Sequence, residues 1–192
     1  MKNTKAIALK ELKSYLTSPM AYVVTAIFLA LTGTFFALSS STYFETNTRG
    51  LWEFWGVLLL LLIASILTMR LIAEEKKMGT WELLLTAPVR DSEVILGKFL
   101  GSLAVLAGML VLTLYYPILL ILFGDPDMGP IFGSYLGLFL LGSTALAIGI
   151  FASSLTSNQM LAAVVAGGIL FGLWFIGTAG SYTPGALGEV LS

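Results

Sequence analysis

The sequence predicts an all-α fold, a polytopic bundle of membrane helices, and three observations carry that prediction. Hydrophobic residues make up 57% of the 192-residue chain and charged residues only 11%, where a soluble domain carries roughly 25% charged residues. Five stretches are apolar enough to cross a bilayer, which takes about 20 residues at a helical rise of about 1.5 Å. The charges are also sorted, with nine of the ten Lys and Arg residues on one side of those stretches.

The chain opens with an amphipathic segment over residues 5–17. Ala8, Leu9, Leu12, Tyr15 and Leu16 recur at the spacing of one apolar helix face, while Lys5, Lys10, Lys13 and Ser14 take the other side. Ser18-Pro19 ends the segment. Such a helix is expected to lie in the boundary of the cytoplasmic leaflet with its lysines near anionic headgroups. The first span covers residues 21–40 and the second residues 54–73. Arg70 lies within a turn of the second span's end, where a long side chain reaches the interface by snorkelling. The third span covers residues 99–123, the fourth 131–152 and the fifth 160–178. Pro117 predicts a kink in the third. Three glycine pairs at four-residue spacing, Gly97/Gly101, Gly133/Gly137 and Gly168/Gly172, predict close helix approach, read first as packing within the chain.

Orientation follows from the positive-inside bias. Lys2, Lys5, Lys10 and Lys13 precede the first span, and Arg70, Lys76, Lys77, Arg90 and Lys98 flank the loop between the second and third. The opposite loops hold Arg49 with Glu45 and Glu53, and then Asp125 and Asp127. The N-terminus and the loop 74–98 are therefore expected in the cytoplasm. Tyr43, Phe44, Trp52, Trp55, Trp174 and Tyr182 mark the outer interface. Five spans leave the C-terminus outside, and the sequence is expected to be a fragment ending before another span.

The loop between the second and third spans is the most informative stretch. Gly79 permits a backbone reversal, Thr80 can cap a following helix, and Glu82 sits in its first turn, where the helix dipole favours a carboxylate. Trp81, Leu84 and Leu85 give that short helix an apolar face, and Pro88 stops it. Asp91 or Ser92 can cap the next helix. An apolar face on a cytoplasmic loop calls for a partner surface.

Several chemistries are excluded. The chain has no Cys and no His, so thiolate and imidazole metal ligands, cysteine nucleophiles and Ser-His catalysis are absent. Catalytic and metal-binding residues are therefore assigned to none. No phosphate-binding glycine loop precedes Lys98. No charge sits at the middle of a span, where ion-coupled transporters and proton relays usually place one.

In the same loop the pattern Glu75, Gly79-Thr80, Glu82, Leu84-Leu85, Pro88 and Gly97-Lys98 resembles the permease subunits of ABC-2 type transporters. The N-terminal run from Lys10 to Pro19 is similar to that family's first helix. The chain looks most like the permeases associated with gliding motility and with nitrous-oxide reductase maturation. The resemblance spans essentially all 192 residues and implies a single transmembrane domain in a bacterial inner membrane. It implies a transport subunit, an exporter by association, rather than an enzyme. ATP would be bound and hydrolysed by a separate cytoplasmic ATPase, so this chain would hold no cofactor. Residues 80–87 would be the coupling helix that docks on that ATPase, with Glu74, Glu75, Lys77 and Glu82 as its charged rim. Segment 5–17 would be the connecting helix at the membrane surface. A second permease subunit and the bilayer would be the other partners, with no nucleic acid. Members usually have six spans, so a sixth is expected and missing. The alternatives are a structural or assembly protein without transport activity and a secondary transporter. Glu74-Glu75 is also similar to the paired glutamates of glutamate-type intramembrane proteases, but the arginine and histidines of those enzymes are lacking.

Overall fold

The computed structural model describes residues 2–43, 52–82, 89–123 and 126–182. Among the described residues eight α-helices run in chain order: α1 (Lys2–Thr17), α2 (Pro19–Tyr43), α3 (Val57–Thr68), α4 (Ala73–Lys77), α5 (Asp91–Leu112), α6 (Tyr115–Phe123), α7 (Met128–Ser154) and α8 (Gln159–Tyr182). A π-helical turn, Trp52–Gly56, leads into α3. No strand occurs among the described residues.

Among the described residues five stretches are long and apolar enough to cross a membrane: Pro19–Leu38, Phe54–Lys77, Asp91–Phe123, Met128–Ser154 and Gln159–Thr178. They coincide with the five expected spans, the third beginning earlier because Asp91 already starts a helix that runs unbroken into apolar sequence. The fold is thus an all-α polytopic bundle. Its outside is as apolar as its inside: Phe123, Phe132 and Val164 are 85%, 71% and 70% exposed, an arrangement suited to lipid and not to water.

The second span is the axis of the bundle. Leu60, Ala64 and Leu67 of α3 share one buried cluster with Leu106 and Leu110 of α5 and Leu146 and Ile150 of α7. Two glycines seven residues apart on α7 allow this closeness. A Cβ on Gly142 would stand 2.5 Å from Leu106 Cδ2, and one on Gly149 would overlap the Thr68 side chain. In contrast, the first and fifth spans bury little of themselves, 11% and 17% of their most apolar windows against 67% for the second.

Of the three glycine pairs expected to pack within the chain, one does. Gly97 and Gly101 seat α1, since a Cβ on them would lie 2.7 Å from Ile7 Cβ and 2.6 Å from Glu11 Cβ. Gly133, Gly137, Gly168 and Gly172 have nothing within 4 Å of a Cβ position. Among the described residues no neighbour covers those helix sides, and the expectation is corrected there.

The third span is broken where Pro117 predicts. Pro117 has no N–H to give the carbonyl of Thr113, and the helix parts at Thr113–Leu114. Tyr135 of α7 donates its hydroxyl hydrogen to that carbonyl at 2.9 Å, and Tyr116 N also reaches it at 3.0 Å. The Tyr116 hydroxyl meets Thr32 Oγ1 of α2 at 2.7 Å. Trp52 stands edge-on to both tyrosines and is only 4% exposed. Trp52 is therefore a core residue around the helix break and not an interfacial anchor. Trp55 does lie outside, 45% exposed and stacked on Phe35.

Candidate functional site

The end of the bundle where α1, α4 and α5 meet holds the densest polar chemistry among the described residues. α1 packs along α5 more extensively than any other pair of elements touches. Successive helical residues turn by 100°, which sorts α1 into sides. Ile7, Glu11 and Tyr15 face the bundle, with Ala8 and Leu12 beside them. Leu9 and Leu16 point away, 55% and 56% exposed, on a stripe bordered by Lys5 and Lys13, which are also exposed. The expected single apolar face is thus split between the protein interior and the outside.

Tyr15 anchors the C-terminal end of α1. It is 2% exposed, and its hydroxyl donates to the Leu67 carbonyl at 2.5 Å. Burial pushes its phenol well above the ordinary tyrosine range, opposed by the guanidinium of Arg70. That guanidinium lies 4.4 Å from the centre of the Tyr15 ring and donates to Ser18 Oγ at 3.1 Å. Arg70 therefore turns toward α1, where the sequence suggested a side chain snorkelling to the interface.

Lys98 forms the centre of the site. It is 1% exposed, and its ammonium contacts Glu11 Oε1 of α1 and Glu75 Oε1 of α4, each at 2.8 Å. A buried lysine persists as a cation only where carboxylates replace its hydration. The glycines at 97 and 101 make this contact reachable by letting α1 sit close on α5. A cavity of about 650 Å³ opens beside the pair. Lys10, Arg70 and Lys98 line it together with Glu11, Glu74 and Glu75, so its charges balance.

α7 fixes the start of the loop. Ser153 Oγ accepts from the amides of Ile72 and Ala73 at 3.2 and 3.1 Å and donates to the Met69 carbonyl at 3.2 Å. That single hydroxyl satisfies the backbone where α3 gives way to α4. Lys76 donates to the Ser154 carbonyl beside it. Gly79 follows with φ +71°, the left-handed conformation that ends α4. Helical structure resumes at Thr80–Glu82, and Thr80 Oγ1 donates to the Glu75 carbonyl at 3.3 Å. Trp81 is partly buried against the core of the chain itself, while Glu82 is exposed. Leu84, Leu85 and Pro88 lie outside the described residues. On the far side, α5 starts at Asp91 with Arg90 in the capping position, where the Arg90 amide donates to Glu93 Oε2 at 3.3 Å. The cap sits at Arg90, one residue before Asp91 and two before Ser92, the two expected positions.

Of the site residues named from sequence, Tyr15 and Glu75 are thus drawn into one cluster with Arg70 and Lys98. Lys5, Lys13, Leu16, Gly79, Thr80 and Glu82 stay exposed. Lys10 and Leu12 line the clefts on either side of α1. Sequence reasoning missed the pairing of Lys98, although Gly97 and Gly101 on either side of it already mark a close helix approach.

Residues 5–186 match the model of the ABC-2 family transporter proteins. The chain belongs to the ABC-2 transporter family. No curated protein matches it. Membership makes this ABC-2 chain a multi-pass membrane protein of an ATP-binding-cassette system, a transport subunit in kind, in a family that generally works with a cytoplasmic ATPase. In this ABC-2 chain the cluster around Lys98 holds both ends of the loop that the family resemblance singles out.

Proposed function

We propose that the chain is the permease subunit of an ATP-driven exporter in a bacterial inner membrane, with a separate ATPase docking on residues 79–88. The N-terminus and that loop face the cytoplasm, and α1 lies along the start of α5 at that end of the bundle with its exposed stripe turned to the leaflet. The observation that carries this reading is the construction of the loop. Its start is fixed by Ser153 and Lys76 and its far end by the cap on α5, while Met78, Gly79, Thr80 and Glu82 between them are exposed. Rigid roots beneath an exposed segment suit a part that is pushed from outside. Leu84 and Leu85, with the part of Trp81 that the chain's own core leaves uncovered, supply the apolar contact and Lys77 and Glu82 the charged rim. Glu75, turned onto Lys98, serves the inside of that joint and not its rim.

With no phosphate-binding loop in the chain, ATP binding and hydrolysis fall to the partner. The exposed first and fifth spans leave room for a second permease subunit. Leu9 and Leu16 with Lys5 and Lys13 suit α1 to an anionic leaflet surface. The loop pattern favours the gliding-motility and nitrous-oxide-reductase type of permease within the family. The domain 1–192 is read as one transmembrane unit.

A detergent pull-down from native membranes tests the proposal. An ATPase co-purifying with the parent chain, and lost from Gly79→Pro/Leu84→Asp while that variant stays inserted, supports it. Absence of any ATPase from the parent refutes it and favours an assembly protein without transport activity.

A further inference from the structure

The loop between α4 and α5 has two roots, and α1 holds both. At the first, Arg70 lies over Tyr15 and bonds Ser18, and Tyr15 bonds the Leu67 carbonyl. At the second, Gly97 and Gly101 bring the α1 backbone against α5, and Lys98 binds Glu11. Lys98 also reaches across to Glu75 of α4. The three cations and three carboxylates lining the adjoining cavity cancel, so it offers no net field to collect a charged ligand. The cluster reads as a joint between three elements.

We infer that Lys98 is the positioning residue that makes α1, α4 and α5 one mechanical body. A displacement of the loop then reaches α1 and, through Ser18-Pro19, the first span, instead of ending at the second and third. This rests on the docking reading of residues 79–88. The physical basis is the low exposure of the joint: the three side chains are only 2%, 12% and 18% exposed. Lys98 is the most enclosed of the three, so separating α1 from α4 would take a carboxylate away from an almost wholly buried ammonium. The two arms differ. Both contacts are 2.8 Å long, but Glu75 is the more exposed carboxylate, and its Oε2 has no hydrogen-bond partner among the described residues.

The chain has no cysteine, so spin labels can be placed cleanly. Labels go on Leu9→Cys of α1 and Met78→Cys at the loop root, with Met128→Cys at the opposite end of the bundle as reference. Pulsed-dipolar distances are read in the full chain with its ATPase in nanodiscs, with ADP and with a non-hydrolysable ATP analogue. In the parent, the Met78–Met128 separation shifts with nucleotide while the Leu9–Met78 separation does not. In Lys98→Met the Leu9–Met78 separation becomes nucleotide-dependent by about 2 Å or more, and Lys98→Arg restores the parent behaviour. Glu75→Gln, which leaves Lys98 paired with Glu11, gives the same loosening and serves if Lys98→Met does not assemble. The inference is overturned by a fixed Leu9–Met78 separation in both variants. It is equally overturned if that separation already varies in the parent, or if nothing moves with nucleotide. Co-purification of the ATPase in the same preparations shows separately whether the docking reading stands; if the parent binds none, both fall together.

Discussion

Lys98 departs furthest from what its sequence context suggests. As one of five basic residues flanking a loop, it reads as a topogenic charge and nothing more. The positive-inside rule tells which side of a membrane such a residue prefers but not which carboxylate it meets. Its partners lie 87 and 23 residues away in sequence, beyond any helical spacing rule. Removing the ammonium in Lys98→Met leaves two carboxylates facing each other in a poorly solvated joint, at a cost of about 3 kcal/mol. We expect a lower unfolding midpoint in detergent and recovery when Glu11→Gln and Glu75→Gln are added. An unchanged midpoint in the single variant would mean that the ion cluster contributes no stability. Tyr135 makes a second test. Tyr135→Phe removes the hydroxyl that replaces the bond Pro117 cannot make to Thr113, and should cost about 1–2 kcal/mol in the same measurement. A phenylalanine as stable as the parent would mean that the break needs no support from α7.

At the scale of helices, what was legible is whatever periodicity and length encode. The five spans, the position of Pro117 and the turn at Gly79 could all be read, because each is a local property of the chain. Which helix covers which was not local. The split of the α1 apolar face illustrates this: Leu9 and Leu16 are as apolar as Leu12 and Tyr15, and only the presence of α5 decides which pair is enclosed. Four-residue spacing marks the seat for α1 at Gly97 and Gly101, but Gly142 and Gly149 are seven apart and carry no such mark. Those two lie two turns apart on the face that α3 and α5 touch, and they set the tightest crossings of the bundle. Gly149→Leu is accordingly expected to prevent α3 and α7 from closing, with loss of monodisperse protein on gel filtration. Gly168→Leu, facing nothing among the described residues, should leave the isolated subunit intact. Equal behaviour of the two would contradict the packing described here.

For the whole molecule, hydropathy fixes the class of protein and charge distribution its expected sidedness, while family membership supplies the kind of work it does. The chain's lack of cysteines permits a direct check of sidedness. Single cysteines at Lys13 and Met78 should react with an impermeant thiol reagent only from the cytoplasmic side, and one at Asp127 only from the other. A reversed pattern would remove the loop from reach of a cytoplasmic ATPase. The features that position the loop, from Ser153 under its start to Lys98 between its roots, were invisible in sequence because they are contacts between distant segments. The loop's own pattern was legible, and it now stands on a framework that explains why it is held so firmly at both ends. The most direct test of the central claim is photo-crosslinking in intact membranes with a photoreactive amino acid at Glu82, and at Asp127 as the control. Position 82 should give an adduct with a nucleotide-binding chain and position 127 none. No adduct at 82, or the same adduct from both, would contradict that claim.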